Sequence, residues 1–466
     1  MANALRTALG LSLGALGAFG LEDCTEAPSA FQSRDAEPGT DVPREAPGPT
    51  DTGPMTVGPA PERPTWWRDV APLVQSRCVE CHVSGGIAPF PLDTFEAASE
   101  RAPLMALETR MGRMPPWPPA DDCRPLQHVR RLSPRELAVL DNWARAGAPE
   151  GDRSTYVRPP DAREPFPSSV DYTATPTAPY TPPMSALDDY RCFVVNPGWT
   201  EAKHMVQARI TPGDARIVHH LNMFEVRAAS AAEVEALDAR APGEGYPCFG
   251  GVGVPVGSLA DQRVQYVAGW APGSPALRTP PGTGIRLEAG SRLVLQVHYN
   301  QSVVRGASDR TRVEMVFSPT APRRQAMVIP VMADRFRIPA GMPDYAVESS
   351  LQPRALGITF PVTVYGAFPH MHQFARATRS TLTRASGADE CLVDVPRWQF
   401  HWQQFYMFDE PVRVEPDDRV TVQCRYDNSA ANQPVVGGVQ RTPQEVRSGT
   451  GTLDEMCMAF FYITIL

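Results

Sequence analysis

Lysine is almost missing from this chain: Lys203 is the single one among 44 basic residues in 466. That skew reads as a base-composition bias with no bearing on chemistry. A basic excess is missing too. The net charge is −8, which excludes a nucleic-acid partner, because phosphate binding needs a basic face. Long apolar runs are absent: the stretch Thr7–Gly20 falls short of the about 20 helical residues that cross a bilayer, so no transmembrane segment is expected. Charged residues are scarce at 21%, whereas proline is plentiful at 50 residues, roughly twice ordinary usage. Short strands joined by Pro/Gly turns produce that profile; a helical bundle does not. The apolar content of 42% suffices for packed cores and excludes a disordered chain. The length predicts about three domains.

Residues 1–20 read as a signal peptide, with one positive charge, an apolar stretch and a small-residue cleavage site at Ala18-Phe19-Gly20, predicting export to a periplasmic or extracellular space. Lipid anchoring through Cys24 is disfavoured, since Leu21-Glu22-Asp23 lacks small residues. Nine cysteines along the chain agree with an oxidising compartment or bound metal. Residues 21–63 form a disordered linker, and residues 64–152 a small all-α domain. There Asp69–Arg77 is a helix with Val70, Leu73 and Val74 inward. Ser133-Pro134-Arg135-Glu136 is a capping box, followed by Leu137, Leu140 and Trp143 at helical spacing and Gly147 as the stop. Residues 153–185 carry eight prolines and read as an extended, semi-rigid linker. From residue 186 the period becomes two. Arg292–Tyr299 alternates Leu293, Leu295, Val297 and Tyr299 with Val294, Gln296 and His298, and Val362–Phe368 and Arg419–Cys424 are further strands. Turn residues every ten or so positions predict two β-sandwiches, 186–320 and 321–466, divided near Pro319–Arg324.

Cys78-Val79-Glu80-Cys81-His82 is C-x-x-C-H, the signature of covalent c-type haem: two thiols add to the porphyrin vinyl groups and the next residue sets an imidazole under the iron. Chance would produce it on the order of 0.003 times in this composition. A zinc knuckle lacks its second ligand pair, and a redox dithiol lacks its βαβ surroundings. In Arg113-Met114-Pro115-Pro116-Trp117, Met114 is the favoured sixth ligand, with Met111 competing, and Trp117 is placed to cover the porphyrin edge. His/Met ligation suits electron transfer. With M-P-P-W and the closing W-x-x-x-G-A-P from Trp143 to Pro149, this domain resembles the cytochrome c class.

His219-His220, His298 and His370-Met371-His372 hold five of the remaining histidines. On a strand His370 and His372 point the same way and form a chelating pair. Adjacent His219 and His220 diverge on a regular strand, so a shared metal requires a bend or different ring nitrogens. His128, His204 and His401 match no metal motif, and His401 alternates with Gln399 and Gln403 as on a solvated strand face.

In order, Ile217–Leu221, Leu293–Asn300, Pro369–His372 and Asp454–Cys457 are similar to the copper type II, ascorbate-dependent monooxygenases, the peptidylglycine and dopamine hydroxylase family, over residues 186–466. The resemblance implies two jelly-roll-type sandwiches and two copper ions. It places an electron-storage copper on His219, His220 and His298, and an oxygen-binding copper on His370, His372 and Met456. A thioether independently favours Cu(I), the form that meets O₂. The resemblance also implies disulfides Cys192–Cys248 and Cys424–Cys457, leaving Cys24, Cys123 and Cys391 without partners. The peptide-amidating branch has Arg, Asn and Tyr where this chain has Phe368, Met458 and Phe460, which argues against a peptide carboxylate and for a more apolar substrate.

The expected function is C–H hydroxylation of a small molecule by O₂, with electrons from haem c (Cys78, Cys81, His82, Met114), an electron-donor protein, ascorbate or another external reductant. No side-chain general base is required beyond the metal ligands. The alternatives are a non-catalytic electron-transfer or copper-handling protein, and a cell-surface interaction protein whose haem alone is redox-active.

Overall fold

The computed structural model describes residues 58–465 except 161–164, 249, 256–261, 401, 437–438 and 450–452, and omits the side chains of residues 435 and 436. The expected signal peptide, Cys24, the linker up to residue 57 and His401 lie outside the described residues.

The helical domain follows the apolar spacing. Trp66–Val70 and Ala71–Arg77 run on as one helical rod that buries Trp66, Val70, Leu73 and Val74. Helix Pro134–Arg145 crosses it, with Ser133 and Glu136 forming the expected reciprocal cap. Trp143 is fully buried, packs at a tilt against Trp66 with ring centres 5.8 Å apart, and donates its indole N–H to the Pro149 carbonyl at 3.0 Å. Glu136 also takes an ion pair from Arg77 at 3.1 Å. The cap is thereby fastened to the residue just before Cys78.

The rest is mostly β-sheet, stacked as two sandwiches. A five-stranded antiparallel sheet runs in the order Tyr246–Pro247, Asp188–Val195, Arg292–Asn300, Val218–Val226, Val264–Trp270. A four-stranded sheet runs Tyr345–Leu351, Arg419–Tyr426, Ala375–Thr383, Asp389–Val395. Both lie against one nine-stranded sheet. Phe193, Leu221 and Leu295 meet Met205, Ile285 and Val313 in the first core, while Val347, Leu382 and Val422 meet Val364, Phe408 and Ile463 in the second. The expected strands appear as Arg292–Asn300, Val362–His370 and Arg419–Tyr426.

Four expectations need correction. First, the division near Pro319–Arg324 is not a break between sheets: residues 324–326 pair in parallel with 283–285, so the large sheet runs through both halves. Second, the stretch 153–185 is not merely a tether. Tyr172–Ala174 is a strand paired with 313–315, and Tyr180 bridges Asp309. Apolar Tyr172 and Ala174, flanked by threonines, suffice for an edge strand. Third, the first sandwich carries a helix, Ala228–Arg240, whose Ala/Glu-rich sequence has high helix propensity.

Fourth, the domain assigned to 64–152 gives up part of its chain. Trp117 does not stay with Met114; it is buried in the core of the second sandwich, edge-on to Tyr406 at 5.5 Å. Leu126 bridges Phe408, and Gln127 donates its backbone N–H to Met407 and its side-chain amide to Phe408, each at 2.8 Å. Cys123 and Cys391, left unpaired in the sequence reading, form a disulfide across 268 residues. The chain returns to the helical core at Leu132. The implied Cys192–Cys248 and Cys424–Cys457 disulfides are both present.

Trp143→Ala removes the centre of the helical core and is expected to cost about 3–5 kcal/mol there. Helical ellipticity should then be lost at lower denaturant than the β-sheet signal. Coincident wild-type-like transitions would contradict the packing.

Candidate metal and cofactor sites

The first site sits where strand Val218–Val226 meets Arg292–Asn300. Val218 pairs with Tyr299, yet His220 pairs with His298, so His219 is one extra residue in the ladder. This β-bulge supplies the bend that adjacent histidines need to share a ligand. One ring nitrogen from each of His219, His220 and His298 lies within 4.8 Å of the other two. Nδ1 of His220 is 3.2 Å from Nδ1 of His219 and 3.4 Å from Nδ1 of His298. Two nitrogens about 2.0–2.1 Å from one ion at tetrahedral or trigonal angles stand about 3.3–3.6 Å apart, so the spacing fits a bound metal.

The tautomer fits as well. His298 donates from Nε2 to Asp188 Oδ1 at 2.9 Å, and the same oxygen accepts from Asn300 at 2.8 Å. Tyr190 stacks flat on His298 at 4.1 Å. With its proton on Nε2, His298 presents the Nδ1 lone pair inward.

The second site lies on the other sandwich. The rings of His370 and His372 stand 5.2 Å apart and nearly perpendicular. His370 donates from Nδ1 to Gln403 Oε1 at 2.7 Å, and Gln403 is oriented by donating to the Phe400 carbonyl at 2.7 Å. His372 donates from Nδ1 to the Asp454 carbonyl at 3.0 Å. Both rings therefore carry their lone pair on Nε2. Burial, followed by the neighbouring His372, pushes the His370 imidazole down to about 3, so it is neutral and ready to ligate.

His370 pairs with Met458, where the ladder ends, and beyond it a shared carboxylate links the backbone of His372 to that of Met456. Glu455 Oε2 accepts from the amides of both His372 and Met456, at 2.9 and 3.2 Å. Oε1 accepts from Phe374 N at 2.7 Å. Burial pushes the Glu455 carboxyl up to about 8 against the pull of those amides.

An aromatic wall adjoins His370. Phe368 stacks on it at 6.2 Å and on Phe405 at 5.4 Å, and touches Phe460 at 5.9 Å. Tyr266, from the first sandwich, reaches Phe405 and Phe460 at 5.8 and 6.1 Å. The positions read as apolar departures thus gather beside the second histidine pair and between the two halves.

In the helical domain, Cys78 and Cys81 are both free thiols, although the other described cysteines are all paired. His82 donates from Nδ1 to the Phe90 carbonyl at 2.9 Å, which leaves Nε2 as the ligand atom. Burial pushes the thiols up to about 12 for Cys78 and about 11 for Cys81. Met111 and Met114 are 44% and 40% exposed, whereas Met105 is the methionine of the helical core. Neither methionine belongs to the helical core, and two free thiols beside an imidazole with Nε2 open have the chemistry that covalent haem attachment needs.

Sequence reasoning missed Asp188, Tyr190 and Gln403. Gln403 corrects the reading of a solvated Gln399–Gln403 strand face, since it is partly buried in a non-strand segment and holds His370. Asp188 had one legible signal: it opens a strand whose partner carries His298 and Asn300.

Residues 325–464 match the family described as copper type II ascorbate-dependent monooxygenase, C-terminal domain. Dopamine beta-hydroxylase of Bos taurus is 24% identical over 294 residues, covering 59% of this chain and 43% of that protein. DBH-like monooxygenase protein 1 of Homo sapiens is 23% identical, covering 57% of this chain and 42% of that protein. Tyramine beta-hydroxylase of Caenorhabditis briggsae is 22% identical, covering 54% and 40%. The chain spans under half the length of these curated relatives. The similarity is thus to copper type II ascorbate-dependent monooxygenases over the C-terminal part of the chain.

Asp188→Ala should weaken metal binding at His219, His220 and His298 by about 10–100-fold through loss of tautomer control. Metal at His370 and His372 should be unaffected. Competitive chelation reads both, and equal weakening at the two sites would refute separate sites.

Proposed function

We propose that the chain is a copper-dependent monooxygenase that hydroxylates a C–H bond of a small, rather apolar molecule, with electrons fed through a c-type haem. The observation that carries this reading is the convergence of three Nδ1 atoms at a bulge, at 3.2 and 3.4 Å. Copper there supplies electron storage, copper beside His370, His372 and Met456 supplies O₂ reduction, and haem c on Cys78, Cys81, His82 and Met114 supplies single electrons. Overall, two electrons come from the C–H bond and two from the reductant. One oxygen atom enters product and the other leaves as water. Ascorbate or another external reductant can serve the same centres.

The chain's own residues orient and enclose. Asp188, Gln403 and the Asp454 carbonyl fix the tautomers of His298, His370 and His372. Glu455 ties the segments carrying His372 and Met456 together. Phe368, Phe405, Phe460 and Tyr266 form an apolar face that excludes water and receives substrate. Relatives named for dopamine and tyramine agree with an aromatic substrate class. Three disulfides support the exported, periplasmic or extracellular location. Among the described residues no helix is long and apolar enough to cross a membrane.

Two measurements test the reading. Purified full-length protein should hold two coppers and one iron, and take up O₂ in step with a hydroxylated aromatic product. Copper without such product would favour the electron-transfer or copper-handling alternative, and iron without copper would sink both. His298→Ala should lose one copper and stop multiple turnover, while Met456→Leu should disturb the other copper. The haem should survive a denaturing gel, and Met114→Ala should abolish the sulfur-to-iron absorption band; persistence of that band would move the ligand to Met111.

A further inference from the structure

We infer that the C-x-x-C-H segment is held as a fixed cap at the junction of the two sandwiches, with Arg130 as the positioning residue that aims it toward His370. This rests on the proposed haem and copper reading.

Glu80, between the two cysteines, meets Arg130 at 3.5 Å. The Arg130 guanidinium lies over the Trp402 ring at 5.1 Å from its centre. Trp402 immediately precedes Gln403, whose Oε1 holds His370 Nδ1 at 2.7 Å. The C-x-x-C-H turn of the helical domain, Arg130 and the second histidine pair are therefore linked by one chain of contacts that runs from the helical domain into the second half. The first half closes the same junction. Gly273 follows strand Val264–Trp270 and has φ +85°, and a Cβ there would fall 2.5 Å from Glu80 Oε2 and collide with both Arg130 Nη atoms. The positive φ favours glycine here, and its bare Cα lets the Arg130 and Glu80 side-chain ends approach in this arrangement. That strand carries Trp270, paired with Leu221 beside His220.

The junction is built to last. The Arg130 side chain is only 16% exposed, so its charge is held by a carboxylate and a ring rather than by water. On the same segment, Arg124 donates to the Cys391 carbonyl at 3.2 Å and pairs with Glu390 at 3.3 Å, beside the Cys123–Cys391 disulfide. Ala120 N donates to the Asp394 carbonyl at 2.9 Å. A tether would deliver electrons by diffusion, whereas this clamp holds donor and acceptor at one fixed distance. Each transfer moves one electron: ferrous haem becomes ferric as Cu(II) becomes Cu(I).

The test uses the full chain, with iron and copper counted first. Wild-type protein with reduced haem is mixed with O₂-free Cu(II) sufficient to fill the sites, and haem oxidation is followed across a dilution series. A rate independent of protein concentration is expected. It should persist in His298→Ala and vanish when the copper ligand His370 is replaced. Arg130→Ala should slow it by about tenfold or more with iron and copper contents unchanged, and Arg130→Lys should restore part of it by keeping the Glu80 pair. The Cys123→Ser, Cys391→Ser, Arg130→Ala triple variant should make the rate depend on concentration as the local concentration falls. Rates proportional to concentration in wild type, or an unchanged rate in Arg130→Ala, would overturn the inference. Absence of iron or copper would instead refute the function it rests on. Hydrogen exchange tests the docking with neither metal: residues 271–276 and 402–405 should lose protection in the triple variant, and unchanged protection would overturn the clamp.

Discussion

Residues 324–326 pair in parallel with 283–285, and the relation between the two histidine sites depends on that short ladder. Strand Arg324–Ala333 then pairs with Cys457–Ile465 along nine positions, and Cys457–Ile465 pairs with Val362–His370. Main-chain hydrogen bonds thus run without a break from the first half to the strand that ends in His370. Cores follow the same join. Ala326, Val328 and Tyr462 belong to the second half by sequence, yet they complete the core of the first. A flexible hinge between two closed sandwiches would let the sites drift. A close-packed core continuous with a shared sheet does not.

Given that frame, three of the five candidate ligand imidazoles are each set by a group outside the proposed ligand sets. Asp188 fixes His298 from the neighbouring strand, Gln403 fixes His370 from an irregular segment, and the Asp454 carbonyl fixes His372. The two sites accordingly present different atoms, Nδ1 in the first and Nε2 in the second. Among the described residues, phenylalanine rings gather beside the second. Phe368, Phe405 and Phe460 lie beside His370, whereas His298 is backed by Tyr190 and a carboxylate. That asymmetry agrees with the proposed roles, electron storage at the first site and water-sensitive chemistry at the second.

Much of this was legible in the amino-acid order where a local rule governs. Ser133 and Glu136 declared a helix start, and the alternation over Arg292–Tyr299 declared a strand. The order of histidine segments pointed to the cluster of His219, His220 and His298, whereas the ligand role of Met456 rests on the resemblance and is a proposal. The bulge at His219 was legible only as a requirement, because it arises from the pairing of Val218 and His220 with a strand about 80 residues away. Gln403 and Asp188 were illegible for the same reason. The Cys123–Cys391 pair spans 268 residues, and connectivity over such a separation is not encoded locally. Trp117 misled the reading because a tryptophan near a candidate haem ligand satisfies two cores equally well on paper. The second sandwich wins it through Tyr406.

The excursion of residues 117–131 also settles a structural need of the sheet. Strand Tyr406–Val414 lies at the end of the nine-stranded sheet, and an uncovered edge leaves unpaired backbone groups open to other chains. Gln127 and Pro125 answer them: Gln127 N donates to the Met407 carbonyl at 2.8 Å, and Asp409 N donates to the Pro125 carbonyl at 3.1 Å. Trp117 fills the core beneath, and Leu126 joins it. Proline on such an edge cannot donate to a further ladder, so Pro125 limits outward pairing by the added segment. The contacts that cover the edge are therefore the contacts that seat the helical domain. One short segment meets both demands, because a covering strand must come from somewhere and this one arrives carrying Arg130.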